Sequence, residues 1–467
     1  MRKNAVMLLV FVTSTGAWAV PAQSLSAPSL TVLPLEGPIN APFEVRVRGL
    51  KPRERVKLTA DRTGVDGETG ASSAIVEASR RGEVDLTKQP SLGGTYRGLS
   101  PHGLFCSVLP VTPEKLAKYI ADFPRRPGQP STITLPLERS PITVRASADG
   151  RQLGAPVTVW RGFAVGTAGE KVSGQSGWRG VYYPPAHGDP VGEPVVVLSG
   201  SGGGLFETTA ALLASNGHPV LALALYNYQD LPKALHLLPL EHVRDGARWL
   251  AQKSATRKVA VFGISRGSEA AQLAAAYFPD AFSAVIAEVP SHLIGGALGP
   301  GTKPEEAAWT VGGKPLPPFA GPKFDEARMS ALAKTPPGYR GAVDLLPPFN
   351  DPAVEAASGI PYDRITASML VLAAGADDVW PSYVSAERIR RRMAALGKAD
   401  QAEIHVYPNA GHGMVSVGRG NALSNFVYNP ALEGYMSVGG TPTGNCEASF
   451  QAFDAVLQFL RRVGARR

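Results

Sequence analysis

VFGISRGSEAAQLAAAYFP, Val261 to Pro279, joins an apolar run, a serine between two glycines, and a run rich in Ala and Leu. The apolar run begins upstream at Lys258 and ends at Ile264; Ser265 then stands between Gly263 and Gly267. A G-x-S-x-G motif between a strand and a helix holds its serine in a sharp, strained turn at the top of a sheet, with the hydroxyl exposed. Glycines flank it because side chains there would meet the neighbouring strand and helix. The same motif also arises by chance in Gly- and Ser-rich chains, where the serine merely starts a helix. The rest of the chain decides between the two.

Around this motif, strand-like runs (WRGVYYP, EPVVVLSG, HPVLALALYN, KVAVFGIS, AFSAVIAEVP, ASMLVLAAG, AEIHVYPNA) alternate with helical stretches such as LPLEHVRDGARWLAQK. Near-continuous apolar strands alternating with helices predict a parallel sheet covered on both faces. On this count the serine follows the fourth strand. An amphipathic helix closes the chain, with Phe450, Phe453, Val456, Leu457, Leu460 and Val463 on one face. The Pro- and Gly-rich stretch of residues 293–366 is long for a connection and is expected to form a cap or lid.

The first third reads differently. SLTVLP, FEVRVRGL, RVKLTAD, SAIVEASR, STITLPLE, PITVRASADG and APVTVW alternate apolar and polar residues between turn formers. That pattern predicts a β-sandwich of roughly seven strands over residues 26–165. The Gly- and Ser-rich stretch Gly166 to Gly177 is expected to link it to a second domain, residues 178–467. Before both, Arg2 and Lys3 precede the apolar AVMLLVFV and then Ala17-Trp18-Ala19. These are the three parts of a secretory signal peptide, expected over residues 1–19, so the mature chain is expected to be exported and to carry no membrane span.

If Ser265 is a nucleophile on such a sheet, its partners follow in the chain order of an α/β-hydrolase: an acid after a later strand, then a histidine after the last. ASMLVLAAGADDVWP ends a strand and enters a turn with Asp377 and Asp378, and AEIHVYPNAGHGM ends the next with His412. Histidine suits the base because its proton affinity lets it accept and return a proton near neutral pH. Asp378 is preferred as the acid on the G-x-x-D spacing from Gly375, with Asp377 as the alternative and turn formation as the plain role of either. Of eight histidines, His405 alternates within a strand, His236 and His242 fit a helical segment, and His102, His187, His218 and His292 precede the acid. His412 alone combines a strand-end loop, glycine neighbours and a place after the acid.

An oxyanion would be held by backbone N–H groups: that of Arg266, at a helix start, and those of Gly202 and Gly203 in the SGGG loop after EPVVVLSG. The loop lacks the G-x-x-x-x-G-K-S/T and G-x-G-x-x-G contexts of phosphate binding, and no metal-ligand cluster appears, so no cofactor and no metal are expected. The chain carries 47 Lys and Arg against 39 Asp and Glu, a net charge of +8. These charges are scattered, without the basic block of a nucleic-acid groove, so no nucleic-acid partner is expected. Cys106 and Cys446 lie far apart in sequence and form no framework; they are expected as two buried free thiols, with pairing as the alternative in an oxidising compartment.

Longer strings add a resemblance. Leu198 to Lys233 (LSGSGGGLFETTAALLASNGHPVLALALYNYQDLPK), with PLEHVRDGARWL, GISRGSEAAQLAAAYFP, GADDVW, AGHGM and Arg81 to Pro110, resembles the acyl-CoA thioesterase and bile-acid-CoA:amino-acid N-acyltransferase family. The resemblance implies a β-sandwich followed by an α/β-hydrolase domain, a triad on Ser265, Asp378 and His412, and a small-molecule acyl thioester or ester substrate. The family's acyltransferases tend to carry cysteine as nucleophile; serine here favours transfer to water over transfer to an amine or alcohol. Export is at odds with a coenzyme A substrate, which leaves an exported carboxylesterase as the other expectation.

Overall fold

The computed structural model describes residues 27–63, 69–110, 137–186, 188, 192–319, 321–322, 325–335, 337–415, 417, 426–429 and 434–465. The expected signal segment and the first six residues of STITLPLE lie outside them.

The N-terminal region is built on alternation. Along Ser140–Ala148, Ile142, Val144, Ala146 and Ala148 are buried while Pro141 and Arg145 are exposed, which gives the strand one wet and one dry face. It pairs antiparallel with Arg55–Thr63 and Val157–Gly162 in a sheet that continues through Thr69–Glu77. A second sheet of three strands, Ser29–Leu33, Glu44–Arg48 and Val84–Asp85, is antiparallel throughout. Val32, Val45 and Val47 of that sheet share one buried cluster with Leu58, Val76 and Val144 of the first, the dry interior of a β-sandwich.

The C-terminal region is built on an eight-stranded sheet. Its strands in chain order are β1 (Glu170–Ser173), β2 (Arg179–Tyr183), β3 (Val195–Leu198), β4 (Val220–Ala224), β5 (Val259–Ile264), β6 (Phe282–Glu288), β7 (Ser368–Ala374) and β8 (Ala402–Tyr407). The spatial order is β1-β2-β4-β3-β5-β6-β7-β8, antiparallel at β1–β2 and β2–β4 and parallel from β4 onward. Helices cover both faces, which is why β3, β4 and β5 are buried at every residue. Val195 and Val197 join the cluster of α1 (Glu207–Ser215) and α5 (Pro442–Gly464). Val196 and Leu198 point to the other face, under α2 (Glu241–Lys253), α3 (Arg266–Tyr277) and α4 (Ser382–Ala395). This is the α/β-hydrolase arrangement behind a β-sandwich.

Two expectations are corrected here. The stretch Gly166 to Gly177 is not only a linker: EKVS within it forms edge strand β1, so the serine follows the fifth strand. Its residues are mostly exposed and carry almost no apolar signal, because an edge strand buries little. Cys106 and Cys446 are not free thiols but a disulfide, with Cα atoms 5.5 Å apart. It ties the short helix Gly103–Cys106 of the sandwich region to α5. The sandwich core is continuous with the apolar faces of α1 and α5, so folding brings together two cysteines separated by 340 residues.

Among the described residues of 293–366, between β6 and β7, are two short strands (Trp309–Val311 and Lys314–Pro315) and three α-helices, Glu326–Leu332, Gly341–Asn350 and Pro352–Ser358. Leu293 and Phe349 pack with Trp380 and Val384 at the start of α4. Among the described residues no helix is long and apolar enough to cross a membrane.

Candidate active site

Ser265 sits at the carboxyl end of β5, where α3 begins, with φ 54° and ψ −121°. A non-glycine residue in this region of φ and ψ is strained and is held there by its surroundings. Both flanking glycines are required by contact. A Cβ on Gly263 would lie 2.0 Å from the Gly267 carbonyl oxygen, and one on Gly267 would lie 2.3 Å from that of Ser199. The Ser265 N–H donates to the Glu288 carbonyl at 3.0 Å, which fixes the turn to β6.

The structure brings His412 to this serine across 147 residues of sequence, its Nε2 2.9 Å from Ser265 Oγ. Nδ1 of the same ring lies 2.9 and 3.1 Å from the two carboxylate oxygens of Asp377. Asp377 is buried, and its Oδ1 also accepts the N–H groups of Val379 (3.0 Å) and Trp380 (3.3 Å). The Trp380 ring stands edge-on to the imidazole at 5.6 Å and donates its Nε1–H to the Val289 carbonyl at 3.1 Å.

The preferred acid, Asp378, is therefore corrected to its neighbour. Asp378 turns the other way: its Oδ1 receives Arg340 Nη2 at 2.6 Å and Nε at 2.7 Å, and its Oδ2 receives the Ser437 hydroxyl at 2.7 Å. The physical reason is the tight turn after β7, in which Asp377 folds back to bond N–H groups two and three residues ahead. That turn aims one aspartate at the histidine and the next at the segment preceding helix Gly341–Asn350.

The candidate oxyanion donors are Arg266, Gly202 and Gly203. Arg266 is the first residue of α3, whose opening N–H groups have no partner within the helix and whose dipole favours an anion. Gly203 is corrected: its N–H is spent on the Gly200 carbonyl at 3.1 Å, closing the glycine turn. Gly202 is exposed, with open space around its α-carbon. Gly200 is the glycine that approaches the serine; a Cβ there would lie 3.2 Å from that of Ser265. Tyr226 backs this turn by donating its hydroxyl to the Gly200 carbonyl at 3.3 Å, and burial pushes its phenol up to about 12.

The Arg266 side chain turns inward. It is buried, paired with Glu269 at 2.9 Å, and donates to the carbonyls of Gly295 (3.1 Å) and Gly296 (2.8 Å). Glu269 in turn accepts from Trp309 Nε1 at 2.6 Å and the Gly295 N–H at 2.9 Å, so α3 grips the start of the 293–366 stretch. Arg266 and Glu269 stand three apart on α3, a spacing at which helical side chains meet, whereas their contacts to residues 295, 296 and 309 are tertiary and leave no signal along the chain. Among the described residues, no group of three or more His, Cys, Asp or Glu is placed to hold a metal.

Glu288, at the end of β6, is buried, and burial pushes its carboxyl up to about 8. In an unfolded chain such a carboxyl ionises near 4.3. The folded protein holds this proton more tightly, so its contribution to stability is complete below the unfolded value and is lost as pH rises toward 8. Glu288→Gln is accordingly expected to flatten the fall in Tm between about pH 4.5 and 8 and to raise Tm at pH 8. An unchanged pH dependence of Tm in the variant would show that the burial is relieved in solution.

Two family models match the chain. "Acyl-CoA thioester hydrolase/BAAT N-terminal region" covers residues 40–165, and "BAAT / Acyl-CoA thioester hydrolase C terminal" covers residues 238–464. Acyl-coenzyme A thioesterase 1 of Homo sapiens is 30% identical over 375 residues, 79% of this chain and 82% of that one. The mitochondrial acyl-coenzyme A thioesterase 2 of Homo sapiens is 30% identical over 374 residues, 79% of this chain and 71% of that one. Among solved structures, brefeldin A esterase, a bacterial homologue of human hormone sensitive lipase, is 16% identical over 64% of this chain and 78% of that one, with a TM-score of 0.38. Two domain matches that together span both regions, and relatives at this identity over most of both lengths, establish that the chain is an enzyme of the acyl-CoA thioester hydrolase/BAAT family.

Proposed function

We propose that the chain hydrolyses an acyl thioester through an acyl-enzyme on Ser265. The observation that carries the reading is the unbroken line from Ser265 Oγ to His412 Nε2 and from His412 Nδ1 to the Asp377 carboxylate. His412 takes the hydroxyl proton as Oγ bonds to the acyl carbon; the oxyanion that forms lies between the Arg266 N–H and the Gly200–Ser201 turn. On collapse the carbon–sulfur bond breaks and the leaving thiol takes the proton from His412. Water then gives a proton to His412 and adds to the acyl carbon. The acid departs as Ser265 recovers its proton. Asp377 fixes the tautomer and stabilises the imidazolium, as buried carboxylates do in such triads. Names of the relatives support an acyl-coenzyme A substrate, and a serine nucleophile supports water as the acceptor.

The Cys106–Cys446 disulfide favours a second reading of the leaving group. Disulfides persist in oxidising compartments, which accords with an exported chain acting on an ester other than a coenzyme A thioester. One screen separates the two: acyl-CoA thioesters of graded chain length beside p-nitrophenyl esters, with Ser265→Ala as blank. Serine-dependent turnover of the thioesters well above the esters is the expected result. Turnover of the esters alone would transfer the assignment to a carboxylesterase, and transfer of the acyl group to an added amine in preference to water would make it an acyltransferase.

A further inference from the structure

We propose that Asn445 is a positioning residue for His412 and that the sandwich region, through the Cys106–Cys446 disulfide, holds Asn445 in place. The proposal rests on His412 acting as the base.

Asn445 lies in the first turns of α5, whose start is capped by Thr441 Oγ1 accepting the Gly444 N–H at 3.0 Å. Its amide is buried and faces two backbone segments at once. Oδ1 accepts the N–H of Gly411, the residue before His412, at 2.5 Å, and Nδ2 donates to the Gly439 carbonyl at 3.0 Å. The two segments are the ones that frame the site. The His412 N–H donates to the Val438 carbonyl at 2.6 Å, and the Gly440 N–H donates to the Ala376 carbonyl at 3.0 Å. Gly439 also bridges to Asp377. One side chain thus joins the backbone before the base to the strip that lies against the acid. A Cβ on Gly411 would come within 2.2 Å of the Val438 carbonyl oxygen, so the contact is a close one between backbones. Only a short group that both accepts and donates can serve these two neighbours, and a primary amide does so.

The next residue, Cys446, is bonded to Cys106. The same short helix grips the next turn of α5: the His102 ring stacks on Phe450 at 4.0 Å and the Phe105 ring meets it edge-on at 5.6 Å. The N-terminal region therefore clamps the helix that carries Asn445, about one turn from the residue that sets the His412 loop. Displacing a catalytic group by about 1 Å costs on the order of a hundredfold in rate.

Asn445→Ala is expected to lower kcat about 10- to 100-fold with KM within about twofold, and Asn445→Asp, which keeps the acceptor for Gly411, to fall between it and the wild type. Cys106→Ser leaves the triad and Asn445 intact; it is expected to lower kcat by a smaller factor, again at constant KM. The assay is a p-nitrophenyl ester or the best thioester of the screen, with the folded fraction measured by circular dichroism, so that loss of protein is separated from loss of rate per folded chain. A wild-type kcat in folded Asn445→Ala overturns the proposal, as does a loss in both variants that matches the unfolded fraction. Absence of Ser265-dependent turnover in the wild type would instead overturn the triad on which the proposal rests. Should Asn445→Ala not fold, the Cys106→Ser kcat decides: lowered at constant KM supports the clamp, and unchanged overturns it.

Discussion

Ser265→Ala is expected to lower kcat/KM for any substrate of the protein by at least about a thousandfold, while leaving Tm and the circular dichroism spectrum close to those of the wild type. Removing the nucleophile of a Ser-His-Asp triad leaves only what the oxyanion donors and binding supply, and losses reach about a millionfold in well-developed enzymes. The fold is expected to tolerate the change. The hydroxyl contacts His412, whereas the turn is held by backbone contacts, the Ser265 N–H to Glu288 and the close approaches at Gly263 and Gly267. Turnover above a few per cent in the purified variant would mean that this serine is a helix start and nothing more.

The adjacent aspartates give the second large effect, and the sharper one because they differ by a single position. Asp377→Asn is expected to cost on the order of a thousand- to ten-thousandfold in kcat, since an amide presents the wrong partner to Nδ1–H and leaves no charge to stabilise the imidazolium. The buried carboxylate also holds the N–H groups of Val379 and Trp380, so some of the loss will appear as a lowered Tm. Asp378→Asn removes an ion pair with Arg340, whose side chain is 59% exposed, and such pairs contribute about 1 kcal/mol or less. Its kcat is expected to fall by no more than a few fold. Equal losses in the two variants, or a larger loss at Asp378, would reverse the assignment of the acid.

The contrast between these two residues shows what sequence could and could not reveal. Ser265 and His412 were legible because each is fixed by local pattern: glycines that a sharp turn demands, and a strand end followed by a loop, in the chain order that a parallel sheet imposes. The choice of acid was not, since both aspartates lie in the turn after the same strand and the deciding fact is the direction of that turn. The sheet was legible from runs such as VAVFGI, buried at every position. Its edge strand EKVS was not, because a strand with little buried surface has little apolar signal to show. The disulfide and the Asn445 contacts depend on how the sandwich docks against α5, a tertiary fact that spacing along the chain does not encode. The same holds for Gly203, whose N–H is committed by a turn that four small residues in a row could close in several ways.

Reaction with a fluorophosphonate followed by peptide mapping reports whether Ser265 is an activated nucleophile. The expected result is one adduct per chain on the peptide carrying Ser265, absent from Ser265→Ala and formed at least about tenfold more slowly in His412→Ala. No adduct on the folded wild-type protein, or an adduct on a different serine, would contradict it.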